Sequence, residues 1–463
     1  MIKRGRSLTR RQCLKGLATM GLGAVGLSTA FSHIGSAHAQ SAATQSTPLT
    51  LTILIPEHWK AAEGLRGNNK EIVPQRRWWF YERVKAFEQL RPDIKFNWQA
   101  TPWEQIPTNF IAASQAGNPP DLVTFDAGYL HSVARGGHLA PLDGFKYDEW
   151  DDFNPDILSQ ILTIDGKKYG LPNYLMSLGY IYNKKLLQEA GFNQPATTWD
   201  EVVTQGKVLT KDTRGTGRPD RWGFGALMQG QLNQGPPSTF AIMVWSQGGE
   251  IMDKDRKAVI DTAEMRKAVT TIVDLINKHK VMSRDTISIK GNDEIELMRN
   301  GVWATGIMGS SYYPPIIEKL GKDNVGFTYY PKFPGGKDFA PCEVFAWHMS
   351  KKAAADKRRG EAAFEWMKFI AANETLVLAA KYQFGQPSRK SALSLPAFND
   401  DPIVKFLAGY TAKTGRAIPH MVLKEYWFET LMEGVHAAIL EQKSVEQALK
   451  DAQAKYNSRA QRA

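Results

Sequence analysis

The sequence predicts an α/β chain of two domains, and three observations carry that expectation. About 420 residues remain once a basic leader is set aside, more than a single core ordinarily serves. Along them, short β-branched runs alternate with helical patterns. One such run, Leu122-Val123-Thr124-Phe125, ends in a carboxylate, Asp126. In an open α/β sheet the crevice beyond the carboxyl ends of the strands is where ligands bind.

The leader comes first. Lys3, Arg4, Arg6, Arg10, Arg11 and Lys15 open the chain without an acidic residue, and a weakly apolar run follows from Leu17 to Phe31. Ala37-His38-Ala39 before Gln40 is a small-x-small cleavage site, so residues 1–39 read as a signal peptide. Arg10-Arg11 within Ser7-Leu8-Thr9-Arg10-Arg11-Gln12-Cys13-Leu14-Lys15 is the pair of a twin-arginine export signal. Its glycines match a dinucleotide fingerprint by accident, since no strand precedes them. The leader holds six of the 58 basic and none of the 47 acidic residues, so 52 stand against 47 in the remainder, a net +5. That excess is mild, and no basic run is interleaved with aromatics, which excludes a nucleic-acid groove. Cleavage leaves Cys342 as the one cysteine, so neither an internal disulfide nor a lipid-attachment cysteine is expected. Together these readings predict a free periplasmic protein.

The elements then follow in order. Leu49 to Ile55 is a β-branched strand ending at Pro56. Trp78 to Leu90 places Phe80, Val84, Phe87 and Leu90 on one helix face. It stops before Pro92, and Ile94, Phe96 and Trp98 alternate as a second strand. A small-residue helix runs to Gly117, where a residue without Cβ accepts the left-handed cap conformation, and Pro119-Pro120 forbid its continuation. Thr198-Trp199-Asp200-Glu201 and Ser444-Val445-Glu446-Gln447 are capping boxes. Phe364, Met367, Ile370 and Ala371 set another helix against a core, and Trp78, Trp79, Trp366 and Trp427 lie within helical patterns as core residues.

Helix, Gly117-Asn118-Pro119-Pro120-Asp121, strand, Asp126-Ala127-Gly128, helix, Leu139-Ala140-Pro141-Leu142-Asp143 is an order that resembles the solute-binding proteins of ABC importers, in the branch carrying oligosaccharides and related solutes. The likeness extends from about Leu49 to Leu449. It continues in Asp165 to Pro172, Tyr180 to Leu187, Trp245-Ser246-Gln247-Gly248-Gly249-Glu250, Ala304 to Tyr312, Gln386 to Ala392 and Leu440 to Ser444. Where the family commonly has Gly-Gly-Trp, this chain has Phe345-Ala346-Trp347, which narrows the third crossing.

The resemblance implies a two-lobed periplasmic-binding-protein fold with three interlobe crossings and extra C-terminal helices. The N-terminal lobe is then expected at 48–176 and 306–346, and the C-terminal lobe at 177–305 and 347–463. It implies a receptor that closes like a hinge on a carbohydrate or related solute and delivers it to the transmembrane subunits of an ABC permease. Monosaccharide, oligosaccharide, polyol and glycerol phosphodiester stay open as the solute. The protein is expected to act as a monomer without a cofactor, and its precursor to use the twin-arginine machinery.

A sugar site needs flat aromatic faces for C–H surfaces, with carboxylates, amides and guanidinium groups for hydroxyls. Glu57 and Trp59 follow the first strand, Asp126 and Tyr129 follow Phe125, and Tyr174 enters the first crossing. Trp245, Ser310, Tyr312 and Trp347 occupy the family's other cleft-facing positions, and Arg389 sits in the Pro-x-Arg turn.

Catalytic patterns are missing. Histidines 58, 131, 138, 279, 348, 420 and 436 include no helical metal-binding pair, and there is no Gly-x-Ser-x-Gly elbow or phosphate loop. Asp212 to Asp220 echoes a calcium loop, but Arg214 takes a ligand position and Gly223 stands where the bidentate Glu belongs, so it reads as a turn. A secreted polysaccharide-active enzyme using Asp126 or Glu57 is the alternative, and a sensory binding protein feeding a kinase or chemoreceptor is the third.

Overall fold

This computed structural model describes residues 47–59, 78–229, 235–289 and 293–461. The expected leader at 1–39 lies outside the described residues. Strand β1 (Leu49–Pro56) pairs in parallel with β2 (Ile94–Thr101) along its length, and over Ile53 and Leu54 with β3 (Leu122–Asp126). Helix α1 (Trp78–Leu90) joins β1 to β2 and buries Trp79, Phe80, Val84 and Phe87, positions spaced to share one side of a 3.6-residue helix. Helix α2 (Ile106–Gln115) ends as its sequence predicts. Gly117 takes a φ of 75°, and the Asn118 amide donates back to the Ala113 carbonyl at 2.9 Å. Helix α3 (Leu130–Arg135) follows β3.

Strand β4 (Leu171–Asn183) is 13 residues long and serves two partners in succession. Its first part lies antiparallel to the late strand Ala340–Met349, with Ser177 opposite Cys342 and Met176 opposite Glu343. Helix α4 (Trp199–Leu209) and strand β5 (Trp222–Ala226) come next. Helices α5 (Gly235–Ser246), α6 (Ala263–Asn277) and α7 (Asp293–Arg299) lead into β6 (Trp303–Gly309) and β7 (Val325–Thr328). Both β6 and β7 pair with the second part of β4, from Leu178 onward. Strand β8 is Ala340–Met349, and the sheet runs β2-β1-β3-β8-β4-β6-β5. At the departure from Gly-Gly-Trp, the β8–β4 register shifts between Val344 and Ala346, so that Asn173 and Tyr174 of β4 stand opposite the single residue Phe345 and the bulge lies in β4.

The tail of the chain divides between two hydrophobic cores. Helices α8 (Lys357–Ile370) and α9 (Asn373–Gln383) pack on α1: the Trp366 ring lies 5.2 Å from Phe87, and Arg83 donates to the Phe369 carbonyl at 2.8 Å. Residues 347–383 therefore join the first core, although the sequence suggested the second lobe for them. Within 306–328, Tyr313, Ile316, Val325 and Phe327 share that first core, while β6 pairs with β4 and β5, and β7 with β4, in the sheet. Local pattern announces a strand or helix, whereas its neighbour depends on which apolar face elsewhere is still uncovered. Helix α10 (Pro402–Thr414) precedes α11 (Lys424–Ile439) and α12 (Val445–Ala460), which close the second core over α6.

The capping box at Thr198 forms with both arms. At Ser444 one arm forms: its hydroxyl accepts from Gln447 N at 3.2 Å, but the Gln447 side chain turns to Asp451 at 2.7 Å. In the turn that echoes a calcium loop, the Asp212 carboxylate accepts from the Gly217 and Arg214 amides, and Asp220 accepts from Thr213. No helix among the described residues is long and apolar enough to cross a membrane.

Candidate ligand site at the strand ends

Asp126 closes β3, and its carboxylate accepts from the Gly128 amide at 2.6 Å, fixing the turn that carries Tyr129. Across the sheet it registers with Phe345 of β8. The half-buried Trp103 ring, in the turn after β2, packs 5.4 Å from Phe345. Two residues back along β8, Glu343 is half-buried opposite the half-buried Met176. Met176 Cε and the Tyr312 ring both come within 3.8 Å of the space beside the Gly309 Cα, so Tyr312 meets the same corner of the sheet.

The electrostatics of this corner are unusual. Burial first, and then the Asp126 charge, push the Glu343 carboxyl up to about 8. Glu294, in the first turn of α7, is 4% exposed, and burial followed by the Glu343 charge raises it well above the carboxylate range. Neither carboxyl has a hydrogen bond or ion pair among the described residues. Tyr330, also 4% exposed, is raised by burial and by both glutamates; its hydroxyl points toward Thr239 without making a hydrogen bond of good geometry. Lys424, in the first turn of α11, is 3% exposed and donates to the Ile418 carbonyl at 3.0 Å. Burial pulls its ammonium down to about 8, while Asp126 opposes that shift.

A second contact joins α3 to the first turn of α11 and to the segment before it. Ser132 donates to Glu425 at 3.0 Å, and the His131 and His420 rings lie 5.4 Å apart. Where β4 changes partners, Gln386 donates to Ser310 at 2.9 Å and accepts from Ser177 at 3.3 Å.

Of the ten site residues expected from sequence, Asp126 and Tyr312 reach this corner, and Glu57 is exposed beyond the end of β1. Tyr129 and Ser310 are buried supports of the β3 and β6 turns. The other five are held in packing. Trp347 is fully buried against Phe80, stacked at 6.3 Å, and Trp366 at 5.8 Å, leaving no face for a sugar. Trp59 sits 4.9 Å from Phe80, and Tyr174 stacks on Phe345 at 4.9 Å. Trp245 is covered by the Arg416 guanidinium at 4.1 Å. Arg389 is 6% exposed and spends its guanidinium on Glu149 at 2.7 Å, Asp152 at 3.2 Å and the Ala371 carbonyl at 2.8 Å.

Sequence reasoning missed Glu343, Glu294, Lys424 and Trp103. Two of them left a signal. Glu343 is the lone charge in the apolar run Pro341 to Trp347, and Lys424 opens a helix at the end where a cation opposes the macrodipole. Glu294 is hidden among ordinary acidic first-turn residues.

Comparison with known proteins gives the same architecture. The chain covers 99% of maltose-bound MalE3 of T. maritima, over 88% of its own length, with a TM-score of 0.75 at 24% identity. It covers 100% of a Thermotoga lettingae solute-binding protein bound to tagatose, over 89% of its own length, with a TM-score of 0.75 at 21% identity. The fold is the two-lobed α/β fold of these proteins. Among sequences, a putative binding protein of Brucella abortus is 30% identical over 184 residues, 40% of this chain; the chain spans 43% of that relative's length. The diacetylchitobiose-binding protein of Streptomyces coelicolor is 26% identical over 321 residues, 66% of this chain and 67% of the relative. The profile of the bacterial extracellular solute-binding proteins matches residues 75–376, more than half the sequence, and the chain belongs to that family.

Proposed function

We propose that this protein is the periplasmic receptor of an ABC importer, binding a carbohydrate or related polyol between its lobes and presenting it to the membrane permease. The observation that carries this reading is the polar group at the strand ends: the half-buried Glu343, the 4% exposed Glu294 and the buried Tyr330 hydroxyl, which has no hydrogen-bond partner among the described residues, beside Asp126. Buried polar groups without partners cost about 1–3 kcal/mol each, and a hydroxyl-rich ligand recovers that cost. Trp103 and Tyr312 supply half-buried rings beside them. The first lobe is taken as β1 to the first part of β4 with β8, α8 and α9, and the second as the rest of β4 through β7 with α11 and α12. A ligand held by Asp126 on one and Glu294 on the other favours closure. The monomer is the acting form. Export rests on Arg10-Arg11, and replacing both with Lys strands the precursor in the cytoplasm.

A thermal-shift screen over mono- and oligosaccharides and polyols tests the reading. Expected are a stabilising ligand, a smaller radius of gyration in solution scattering at saturation, and no product after long incubation. An unchanged radius removes the hinge, and a consumed ligand moves the assignment to the polysaccharide-active enzyme.

A further inference from the structure

A cavity of about 690 Å3 lies against the crossing strands, with Leu175 of β4 and Cys342 of β8 on its floor. Successive strand residues point to opposite faces, so Cys342 looks away from the face that carries Glu343. Ile157 and Ile161 form one wall, and Phe339 and Arg416 the other. Backbone pairing sets this frame: Arg416 registers with Pro341 of β8, Pro387 with Tyr174 of β4, and Phe153 bridges to Arg389. The volume falls within the range of about 300–1,000 Å3 that small-molecule sites occupy.

Five basic and two acidic side chains line the cavity among the described residues. The planar and short polar groups are already engaged. Arg389 is held by Glu149 and Asp152, the Ser388 hydroxyl donates to the Asn173 carbonyl, and Arg416 pairs with Glu250 at 2.6 Å while lying over Trp245. Of the two acids, Asp338 pairs with Lys332 at 3.0 Å and Asp156 accepts from Gln160 at 3.5 Å. The other cations are Lys337, Lys390 and Lys413, all at exposed positions. An array of sugar hydroxyls wants fixed, planar partners, and those are spent. Flexible ammonium groups act instead as point charges, and here they stand over an apolar floor. That pairing suits a molecule with an apolar body and one anionic head. We propose that this cavity is a second binding site, separate from the candidate saccharide site, for an amphiphilic carboxylate. Its chain lies on Ile157, Leu175 and Phe339, and its head meets Lys337 and Lys413.

Cys342 supplies the test, since it is the one cysteine beyond the leader and lies on the cavity floor. Burial lifts its thiol to about 12, so an uncharged maleimide modifies it slowly and mass spectrometry follows the rate. The protein without its leader is labelled at pH 8 in the presence of decanoate, decanol or decyltrimethylammonium, each below its micellar concentration. The concentration dependence of protection gives a dissociation constant for each probe. Decanoate is expected to bind roughly tenfold or more tighter than decanol, and the cation weakest. Lys337→Glu combined with Lys413→Glu should weaken decanoate roughly tenfold or more and leave decanol within about threefold. Both lysines are exposed, so the ligand-free melting temperature holds. Lys254→Glu, exposed and outside the cavity lining, should change neither constant. Labelling unaffected by decanoate, equal protection by the three probes, or a decanoate preference that survives the double charge reversal overturns the inference. None of these outcomes touches the receptor reading, which the thermal-shift panel of sugars decides separately.

Discussion

Arg359 donates to the Asp121 carboxylate at 2.8 Å, and the same carboxylate oxygen accepts from the Thr52 amide at 2.7 Å. Arg359 also reaches the Thr50 carbonyl at 2.9 Å. The aspartate of Gly-Asn-Pro-Pro-Asp is therefore a clamp that ties α8 to β1 at the mouth of β3, five residues before the aspartate that faces the candidate site. Replacing Arg359 with Met should lower unfolding free energy by about 1–3 kcal/mol, since Asp121 keeps one bond and loses its cation. Urea denaturation measures the loss, and ligand affinity should stay as it was.

The two kinds of tryptophan separate in the same experiment. Trp347→Ala should cost about 3–5 kcal/mol of stability, because it opens a cavity among Phe80, Trp59 and Trp366. Trp103→Ala should leave the ligand-free melting temperature nearly unchanged and weaken ligand binding by about 1–3 kcal/mol. Reversal of the two patterns would show that the stacking face belongs to Trp347 after all.

Acid should weaken the fold through His348. Its Nδ1 bonds the Tyr169 carbonyl at 2.8 Å, its ring stacks on Phe125 at 4.2 Å, and Nε2 is buried without a partner. Burial pulls the imidazole down to about 4, only partly opposed by the Tyr169 bond. The unfolded chain, titrating near 6.5, takes up the proton first, so this contribution is complete above about pH 6.5 and is lost as pH falls toward 4. By pH 5 the loss amounts to about 2 kcal/mol. A His348→Gln variant, compared with the parent by urea midpoints at pH 7 and pH 5, should show a correspondingly smaller drop. Equal drops in the two proteins would assign the acid sensitivity to other groups, with His420, held down to about 3 by burial, next in line.

Elements were legible in the sequence where local chemistry decides them. The bounds of α1, the cap at Gly117, the strand ending at Asp126 and the box at Thr198 follow from periodicity, a missing Cβ and hydrogen-bonding side chains. The site was legible only in part, and β8 shows why. Glu343, Phe345 and Trp347 alternate along one strand, yet Glu343 is half-exposed while Trp347 has no accessible surface. The alternation is visible in the sequence; where along the strand α1 and α8 stop covering it is not. That depth is set by the packing of helices more than 250 residues apart, and with it the difference between a sugar platform and a core residue. Arg389 was misplaced for a related reason: Glu149 and Asp152, its partners, lie about 240 residues upstream.

The distribution of the second core along the chain has a consequence for biosynthesis. Met265, Ile272 and Ile276 of α6 are buried in one core with Trp427, Leu431 and Tyr456 of α11 and α12, which pack on that helix. Translation must therefore run past residue 456 before those surfaces are covered, and until then a nascent chain displays them to the cytoplasm. Domain-by-domain folding on the ribosome is closed to this half of the molecule, and premature termination anywhere before α12 yields a sticky fragment rather than a smaller stable protein.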